Sequence, residues 1–423
     1  MEQINNTLYA LNKDGSFQEW KVFVAGDTIS VEFGKLGGKI QTKRTVAKPK
    51  NIGRANETTA EQQARLEAQS KWEKQLRLGY RESTEELTSV ESESPMLAHD
   101  YLKRGKAIQY PAFYQPKLDG LRCLVTFDSE GTPVFNSRGN KTYPIEGAIV
   151  AQVKELHERT GFKYLDGEMY LHGLSLQKIS SLAKKWRTHE QINAEIEKDY
   201  QADIKRRDKA IAAGEKTYKN TDKQDVSVDV VPAPDTMRYD GYESADLEFH
   251  IFDIPSDKIW YSATEDCRYN DLNVANENHG SKIFVVEGGI VFSEAGAKEL
   301  VAQYMVEGYE GLMLRNFLGR YEFGQRSSDL QKWKEFQTIE AKVLSVTLDK
   351  NGEGVLNCVL QSGVTFSCKM KGTHAYRSYE SMLNLVGHFI TISFQAYTDD
   401  GAPQFPVGQM EREVNPETWE PIY

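Results

Sequence analysis

The last 87 residues constrain the fold most, because strand-like runs and turn signals follow one another there without interruption. From 337 onward the order is TIEAKVLSVTLD, KNGEG, VLNCVLQS and GVTFSCK, in which Asn351-Gly352 is a strong hairpin signal. A helical stretch, HAYRSYESMLNLV, precedes a last long strand, HFITISFQAYT. About five strands and one helix in this length predict a small closed barrel of the OB-fold type.

Pattern and composition divide the rest of the chain. Residues 1–81 predict a small mixed module, and residues 82–94 are acidic and Ser-rich, which is typical of a linker. Residues 95–336 mix strand-like and helix-like segments and predict the main domain, with a charged insertion at 189–240. We interpret that insertion as a solvated helix followed by a flexible tail. With the barrel at 337–423, the predicted fold class is α+β.

A helix closes the first module in this prediction. It runs from Thr58 to Leu78, with Thr58 or Thr59 as its N-cap, Glu61 in its first turn and Gly79 as the residue that ends it.

Composition excludes several classes of protein. The sequence contains no run of about 18 apolar residues and no basic-then-apolar leader, so we expect neither a membrane span nor a secretory signal. The four cysteines form no CxxC pair, which argues against a zinc site or disulfide framework and favours a reducing cytoplasm. The net charge of −10 argues against a surface that grips nucleic acid everywhere, but it leaves room for a local basic groove.

The segment QPKLDGLRC carries the first chemical motif, Lys117-x-Asp119-Gly120-x-Arg122. Four specified residues predict roughly 0.004 chance matches in a chain of this length. An amine that attacks phosphorus must be neutral, and a lysine in a desolvated site beside other cations has a lowered pKa. Lys117 has apolar Leu118 and cationic Arg122 close by in the sequence. Taken alone, the same letters also suit a turn between two strands with an exposed lysine.

Further motifs follow in order, and each also has a plain structural interpretation. They are NSRGN with Arg138, YLDGEMYL with Glu168, FHIFDI with Phe252, EGLMLRN with Glu310, and LQKWKEF with Lys332 and Lys334. A surface turn would account for Arg138, and exposed strand glutamates for Glu168 and Glu310. A core aromatic residue would account for Phe252, and an amphipathic edge strand for Lys332 and Lys334. If LQKWKEF is a strand, its period of two places both lysines on one face and Trp333 on the other.

Taken together and in this order, the motifs resemble those of ATP-dependent DNA ligases of bacteriophage type, within the covalent nucleotidyltransferase superfamily. The resemblance extends from Pro95 to Val414. It is strongest in PMLA, the Lys117 segment, HGLSLQKISSLAKKW and the stretch from Glu310 to Glu335. It implies an ATP-grasp-like adenylation domain followed by an OB-fold, ATP as nucleotide, and Mg²⁺ or Mn²⁺ as divalent ion. It also implies nicked double-stranded DNA as partner and the bacterial host cytoplasm as location, and we expect a monomer without membrane contact.

The resemblance also implies residue roles. Lys117 would be the nucleophile that forms lysyl-AMP. Arg122 and Arg138 would bind phosphate or sugar, and Lys332 and Lys334 the triphosphate. Glu168 and Glu310 would bind ribose and metal. Phe252 would stack on adenine and Gln115 would read its amino group.

Candidate DNA contacts lie outside these motifs. Lys184, Lys185 and Arg187 are candidates beside the main domain, and Arg412 is carried over from the family's final segment, which begins here as GAPQFP. The family's terminal Asp-x-Lys-like element is missing. VEFGKLGGKIQTKRT and SKWEKQLRLGY resemble a diverged WGR module, with Phe-Gly-Lys in place of Trp-Gly-Arg. That resemblance makes Lys35 and Lys39, which form a basic patch with Lys43 and Arg44, candidate phosphate contacts, although lysines on a solvated sheet edge explain them equally.

Two other functions stay open on these residues. An RNA ligase or capping-type nucleotidyltransferase shares the lysine motif and the barrel. A non-catalytic DNA-end binding protein would use the basic N-terminal sheet and the barrel, with the middle domain as an inactive scaffold.

Overall fold

The structure, a computed structural model, describes residues 1–423 except 13, 54, 89–93, 223, 265, 278–279, 350 and 423. The chain forms two compact units, one of Pro95–Trp333 and one of Met1–Ser94 together with Lys334–Tyr423. The assignment of a separate role to each predicted domain stays a prediction. Most of the expected linker, 89–93, lies outside the described residues. Among the described residues, no helix has both the length and the apolar character to cross a membrane.

The N-terminal module is an antiparallel sheet covered by one helix. Its elements are β1 (Glu2–Gln3), β2 (Leu8–Leu11), β3 (Phe17–Ala25), β4 (Thr28–Lys35), β5 (Ile40–Val46) and α1 (Ala60–Arg77). The sheet order is β1-β3-β4-β5, and β2 also pairs with β3. Ala64 and Ala68 of α1 pack with Trp20 and Ile29 in the module's core. Small residues on the helix allow this close approach to the sheet.

The predicted helix α1 is confirmed, with Glu61 in its first turn. Thr59 is the N-cap, and the side chain of Gln62 returns a hydrogen bond to the Thr59 backbone. Gln62 occupies the third helical position, where a capping-box partner reaches the N-cap N–H. Gly79 follows the helix with φ +93°, which permits the chain to leave it.

Two five-stranded sheets form the central unit. Its strands are β6 (Leu97–Asp100), β7 (Ala112–Lys117), β8 (Leu121–Phe127), β9 (Pro133–Ser137), β10 (Leu165–Tyr170), β11 (Thr217–Lys219), β12 (Asp225–Ser227), β13 (Glu248–Asp253), β14 (Ile283–Val285), β15 (Gly289–Val291), β16 (Gly311–Arg315) and β17 (Arg326–Trp333). Its helices are α2 (Tyr101–Arg104), α3 (Ala148–Thr160), α4 (Leu176–Lys184), α5 (His189–Ala212), α6 (Arg268–Glu277) and α7 (Glu294–Val306). The sheet orders are β14-β13-β10-β8-β9 and β15-β7-β16-β17-β6, and β11 pairs with β12 alone.

The connection between β7 and β8 positions the site. β7 ends at Lys117 in one sheet and β8 begins at Leu121 in the other. The motif from Lys117 to Arg122 is therefore the crossing between the two sheets.

The charged insertion differs from its prediction. Helix α5 is exposed over much of its length, but Ile192 and Ile196 at its start are buried in the central core. The predicted flexible tail is wrong, because the β11–β12 hairpin and short 3-10 turns at Arg238–Gly241 and Ser244–Asp246 follow the helix.

The final residues form the predicted barrel. Its elements are β18 (Gln337–Leu348), β19 (Gly354–Val359), β20 (Thr365–Met370), α8 (Tyr379–Leu383), β21 (Phe389–Phe394) and β22 (Val407–Arg412). The strands close in the order β18-β19-β20-β22-β21 around buried Val343, Leu356, Ile390 and Phe394. The α+β class and the OB-fold-type barrel are confirmed.

Candidate active site

Lys117 lies at the end of β7, and its side chain is 21% exposed. Its Nζ contacts the Glu310 carboxylate and donates to the Leu118 carbonyl at 3.4 Å. Burial lowers the pKa of Lys117, the charges of Glu168 and Asp119 raise it, and Arg122 lowers it, with a net decrease. A lower pKa increases the fraction of neutral amine, which is the nucleophilic form.

Two glycines let the strands around Lys117 approach closely. A Cβ on Gly120 would lie 2.5 Å from the Met169 carbonyl oxygen, and one on Gly167 would lie 2.4 Å from the His250 carbonyl oxygen. Real side chains do not tolerate such distances, so any other residue at either position would push β10 away from its neighbours.

Glu310 reaches Lys117 through strand pairing. We expected Glu310 within a strand, but it is the residue before β16. Its backbone N–H donates to the Lys117 carbonyl at 2.8 Å, and Gly311 pairs directly with Lys117. The β7–β16 register therefore places this carboxylate at the amine.

Glu168 lies in the middle of the other sheet. It pairs with Arg122 on β8 and with His250 on β13, and directly opposed residues of antiparallel strands share a face. Burial raises the pKa of Glu168 to about 7, although the charges of Lys117 and Arg122 oppose the shift.

Arg122 is engaged by a carboxylate that we did not assign to the site. Its Nε donates to Asp166 Oδ1 at 2.6 Å, and its Nη2 contacts Oδ2 and donates to the Met96 carbonyl at 3.2 Å. Asp166 also accepts from the Tyr321 hydroxyl at 2.5 Å. These donors are therefore committed to the protein, whereas the family resemblance implied that they bind phosphate or sugar.

Phe252 and Gln115 lie together on the base side of the site. The Arg122 guanidinium lies 4.6 Å from the centre of the Phe252 ring, and this ring is partly buried against the core of the central unit. Buried Gln115 donates from Nε2 to the Val286 carbonyl at 3.0 Å. Only its Oε1 could therefore accept from an adenine amino group.

The two lysines of LQKWKEF belong to different compact units. β17 ends at Trp333, which is buried and stacks on Tyr101 with ring centres 4.2 Å apart. Burial, with the nearby charge of Lys117, lowers the pKa of Lys332, which places Lys332 beside the site. Lys334 belongs to the other compact unit, where its Nζ donates to Gln395 Oε1 at 3.0 Å. The expected shared strand face is wrong, because the strand stops before Lys334.

Arg138 lies in the exposed turn after β9, and its charge adds to the lowering of the pKa of Lys332, of which burial is the main cause. Its role toward phosphate or sugar stays a prediction.

The three cations at or just after the end of α4 make different contacts. Lys184 is exposed and donates to the Ser180 hydroxyl at 2.6 Å. Lys185 and Arg187 both pair with Glu195 of α5, and the Arg187 side chain is 13% exposed. Arg187 also donates to the Ser181 carbonyl. Lys185 and Arg187 therefore both hold Glu195 of α5. The Lys185 side chain is still 60% exposed, so Lys184 and Lys185 are the accessible candidates.

The other candidate DNA contacts lie in the second unit. Lys35 and Lys39 are exposed, and Lys35 forms an exposed ion pair with Asp14 at 3.4 Å. Arg412 is half-buried at the end of β22.

A buried ion cluster behind the site had little sequence signal. Asp253 accepts from Arg268 Nε at 2.8 Å and from Arg315 Nη1 at 2.6 Å, and all three residues are buried. Asp253 belongs to the motif FHIFDI, but no nearby residue predicts its two partners, which lie 15 and 62 residues away.

Two carboxylates are available for a metal ion. Glu168 and Glu310 approach Lys117 from different sheets, and the described residues hold no group of three or more His, Cys, Asp or Glu suited to a metal. Mg²⁺ commonly uses one or two carboxylates together with substrate phosphates. The residues present therefore fit a Mg²⁺ ion that the nucleotide helps to hold.

Comparison with known proteins points to one family. Residues 95–334, more than half of the chain, match the family model for the ATP dependent DNA ligase domain. The DNA ligase of Enterobacteria phage T6 is 22% identical over 268 residues, which cover 61% of this chain and 51% of that protein. A DNA ligase of African swine fever virus is 25% identical over 328 residues, covering 75% and 64%. The chain thus spans about half the length of the phage relative that it matches.

Solved structures agree on the fold. A Lig E DNA ligase covers 75% of this chain and 99% of its own, with 21% identity and a TM-score of 0.51. A structure called Pmar-Lig_Pre covers 76% and 68%, with 19% identity and a TM-score of 0.54.

Proposed function

The chain belongs to the ATP-dependent DNA ligase domain family, and on this premise we propose that it seals nicks in duplex DNA through a lysyl-AMP intermediate on Lys117. One observation supports the assignment of the nucleophile to Lys117. Lys117 is a mostly buried amine, 21% exposed, with a lowered pKa, and it lies where two sheets bring the carboxylates of Glu310 and Glu168 to it. Burial favours the neutral amine, which is the form that a nucleophilic lysine needs.

The first step loads the enzyme. The lysine ammonium loses a proton to solvent, which its lowered pKa favours, and the neutral amine attacks the α-phosphorus of ATP and releases a second proton as it bonds to phosphorus. The new N–P bond forms as the bond from that phosphorus to the bridging oxygen breaks, and pyrophosphate leaves with the electron pair. Positioning and charge neutralisation supply most of the acceleration in phosphoryl transfers.

The next two steps move AMP to DNA and release it. An oxygen of the 5′-phosphate at the nick attacks the lysyl-AMP phosphorus, and the N–P bond breaks to return the amine. The 3′-hydroxyl then loses its proton as its oxygen attacks the activated 5′-phosphorus. A phosphodiester forms and AMP leaves.

The other site residues would bind the nucleotide. Phe252 would offer a ring face to adenine, and Gln115 would offer its Oε1 to the amino group. Lys332 and Arg138 supply positive charge for the phosphates. Mg²⁺ held by Glu168, Glu310 and the nucleotide would neutralise phosphate charge. Arg122 would act through its pair with Asp166, by fixing the Phe252 ring. The roles that the resemblance implies for Lys334, Arg412 and the other DNA contacts stay predictions, as does the monomeric state.

The test is adduct formation with α-labelled ATP and Mg²⁺, run on a denaturing gel beside Lys117→Ala and Lys117→Arg. We expect a labelled band from the native protein alone, because neither variant offers a neutral amine. A band from Lys117→Ala would refute the assigned nucleophile. A native protein that forms no band, and whose mass excludes prior adenylylation, would favour the DNA-binding alternative.

Substrate choice separates the remaining alternatives. Native protein is given ATP or GTP, then nicked DNA or nicked RNA. Sealing of DNA with ATP is the expected result. A preference for GTP would favour the capping-type alternative, and a preference for RNA would favour the RNA ligase alternative.

A further inference from the structure

The N-terminal module carries the opposite charge to the rest of the chain. Residues 1–81 contain 14 Lys or Arg and 9 Asp or Glu, whereas the whole chain contains 52 and 62. Within the module, residues 33–56 contain seven Lys or Arg and no Asp or Glu. The module also lies outside the matched ligase domain, which starts at 95.

The structure exposes these cations along one sheet edge. Strand β5 is last in the sheet order and pairs only with β4. Lys39, Lys43, Arg44 and Lys48, on β5 or directly beside it, are all exposed. In the described part of the chain none of these four forms an ion pair, whereas Lys35 and Lys50 at the ends of the run pair with Asp14 and Glu67. We call the four unpaired cations the β5 basic surface.

We propose that the β5 basic surface binds the phosphate backbone of duplex DNA without sequence preference. The inference rests on the proposed function only in taking duplex DNA as the polyanion. A strand advances about 3.3 Å per residue, so Lys39 to Val46 spans roughly 23 Å, along which a duplex presents about 13 phosphates. Lysine-rich contacts to phosphate give affinity and positioning but do not read bases.

A simpler role for edge lysines does not explain the pattern. Lysine on an edge strand prevents the strand from pairing with another molecule. One or two lysines suffice for that purpose, and it does not require a 24-residue run without a single acidic residue. In an otherwise acidic chain, such segregation of charge is typical of an electrostatic binding surface.

The exposed apolar residues beside this surface raise one competitor. Leu36, Ile40, Val46 and Ile52 are exposed near the cations, and basic surfaces with apolar neighbours also bind anionic membranes. Membership of the DNA ligase domain family favours the duplex, and the experiment includes vesicles as a competing ligand.

The experiment measures the salt dependence of duplex binding by the full chain. The test variant changes Lys39, Lys43, Arg44 and Lys48 to Gln, and the matched control changes Lys198, Lys205, Lys209 and Lys216, which are exposed on or just after α5. Affinities for an intact duplex and for a nicked duplex lacking the 3′-hydroxyl are measured from 50 to 200 mM NaCl. Such DNA cannot be sealed, so the readout does not depend on ligation.

We expect the slope of log K against log salt to become shallower by about 3 to 4 in the test variant, since each phosphate contact contributes about 0.9. Between 50 and 200 mM salt the native protein should therefore lose about 100-fold more affinity than the test variant, equally on both duplexes. The control variant should keep the native slope.

Three outcomes would overturn the inference. They are an unchanged slope in the test variant, an equal loss in the control variant, and displacement of duplex by phosphatidylserine vesicles at equal phosphate concentration. Light scattering also tests the edge-protection role, because self-association of the test variant with an unchanged slope supports that role instead. Adduct formation without DNA is measured separately on every protein. If the native protein forms no adduct but the test variant still shows the expected shallower salt slope, the proposed function is rejected and the inference stands.

Discussion

The buried carboxylate Asp253 gives the sharpest test of how the central unit is held together. We expect Asp253→Asn to lower the free energy of unfolding by about 3–5 kcal/mol, the usual cost of leaving a buried charge without its partner. Asp253 is 0% exposed and accepts from Arg268 at 2.8 Å and Arg315 at 2.6 Å. Asparagine keeps the volume of the side chain but removes the only anion paired with these two guanidinium groups in the described structure.

The pH dependence of this effect has a defined sign. Burial alone raises the pKa of Asp253, but the charges of Arg268 and Arg315 outweigh it, and the net pKa lies below its ordinary value. A carboxylate with a lowered pKa in the folded state contributes fully above its unfolded pKa of about 3.9 and loses that contribution as the pH falls. The gap between the native protein and the variant should therefore be widest near neutral pH and should begin to narrow below about pH 4, as the pH falls toward the lowered pKa.

The assay is urea unfolding followed by tryptophan fluorescence and circular dichroism. Trp260 reports locally, because the Arg315 guanidinium lies 4.2 Å from its ring centre. The control is Asp225→Asn, which removes an exposed pair with Lys219, and we expect it to cost less than about 1 kcal/mol. If Asp253→Asn costs no more than this control, or if its cost is as large at pH 3 as at pH 7, then the ion cluster does not stabilise the unit as argued.

Three further predictions concern the site and the insertion. Glu168→Gln should abolish adduct formation yet raise stability at pH 8 by about 2–3 kcal/mol and leave it unchanged near pH 4. The reason is that burial raises the pKa of Glu168 to about 7, so the folded state disfavours its charged form. Thermal melts at pH 8 in which the variant is no more stable than the native protein would refute this. Gly120→Ala should slow adduct formation and cost about 1–3 kcal/mol, because its methyl group would overlap the Met169 carbonyl, and native adduct rates would contradict that geometry. Ile192→Ala should cost about 2–4 kcal/mol in urea unfolding, whereas exposed Ile211→Ala should cost under about 0.5 kcal/mol, and similar values for both would mean that α5 is not anchored in the core.

Local pattern predicted the parts of this protein whose physics is local. Hairpin and period-two signals predicted the barrel strands, and an N-cap with a following glycine predicted α1, because turns, caps and strand alternation depend on neighbouring residues. The insertion shows the limit of this reasoning. Its charges predicted a solvated helix, but two isoleucines on one side were enough to anchor α5, and whether a helix face meets a core depends on the rest of the chain.

The sequence could not predict those features of the site that depend on a strand end or a distant partner. Lys332 and Lys334 share a face only if the strand continues through both, and it stops at Trp333. Nothing near Arg122 in the sequence indicates that folding brings it to Asp166, 44 residues away, and its role toward phosphate or sugar stays a prediction.

The sequence by itself determined which side chains are available for the chemistry, and in what order: a lysine followed by Asp-Gly, then glutamates, an aromatic residue and more lysines. Only the tertiary structure decided which of them meet. The β7–β16 register brings Glu310 to Lys117, and the crossing at Gly120 places Glu168 on the opposite sheet. The physical reason is that burial lowers the pKa of Lys117 and raises that of Glu168 against the opposing attraction of their charges, and both effects come from groups far apart in the chain.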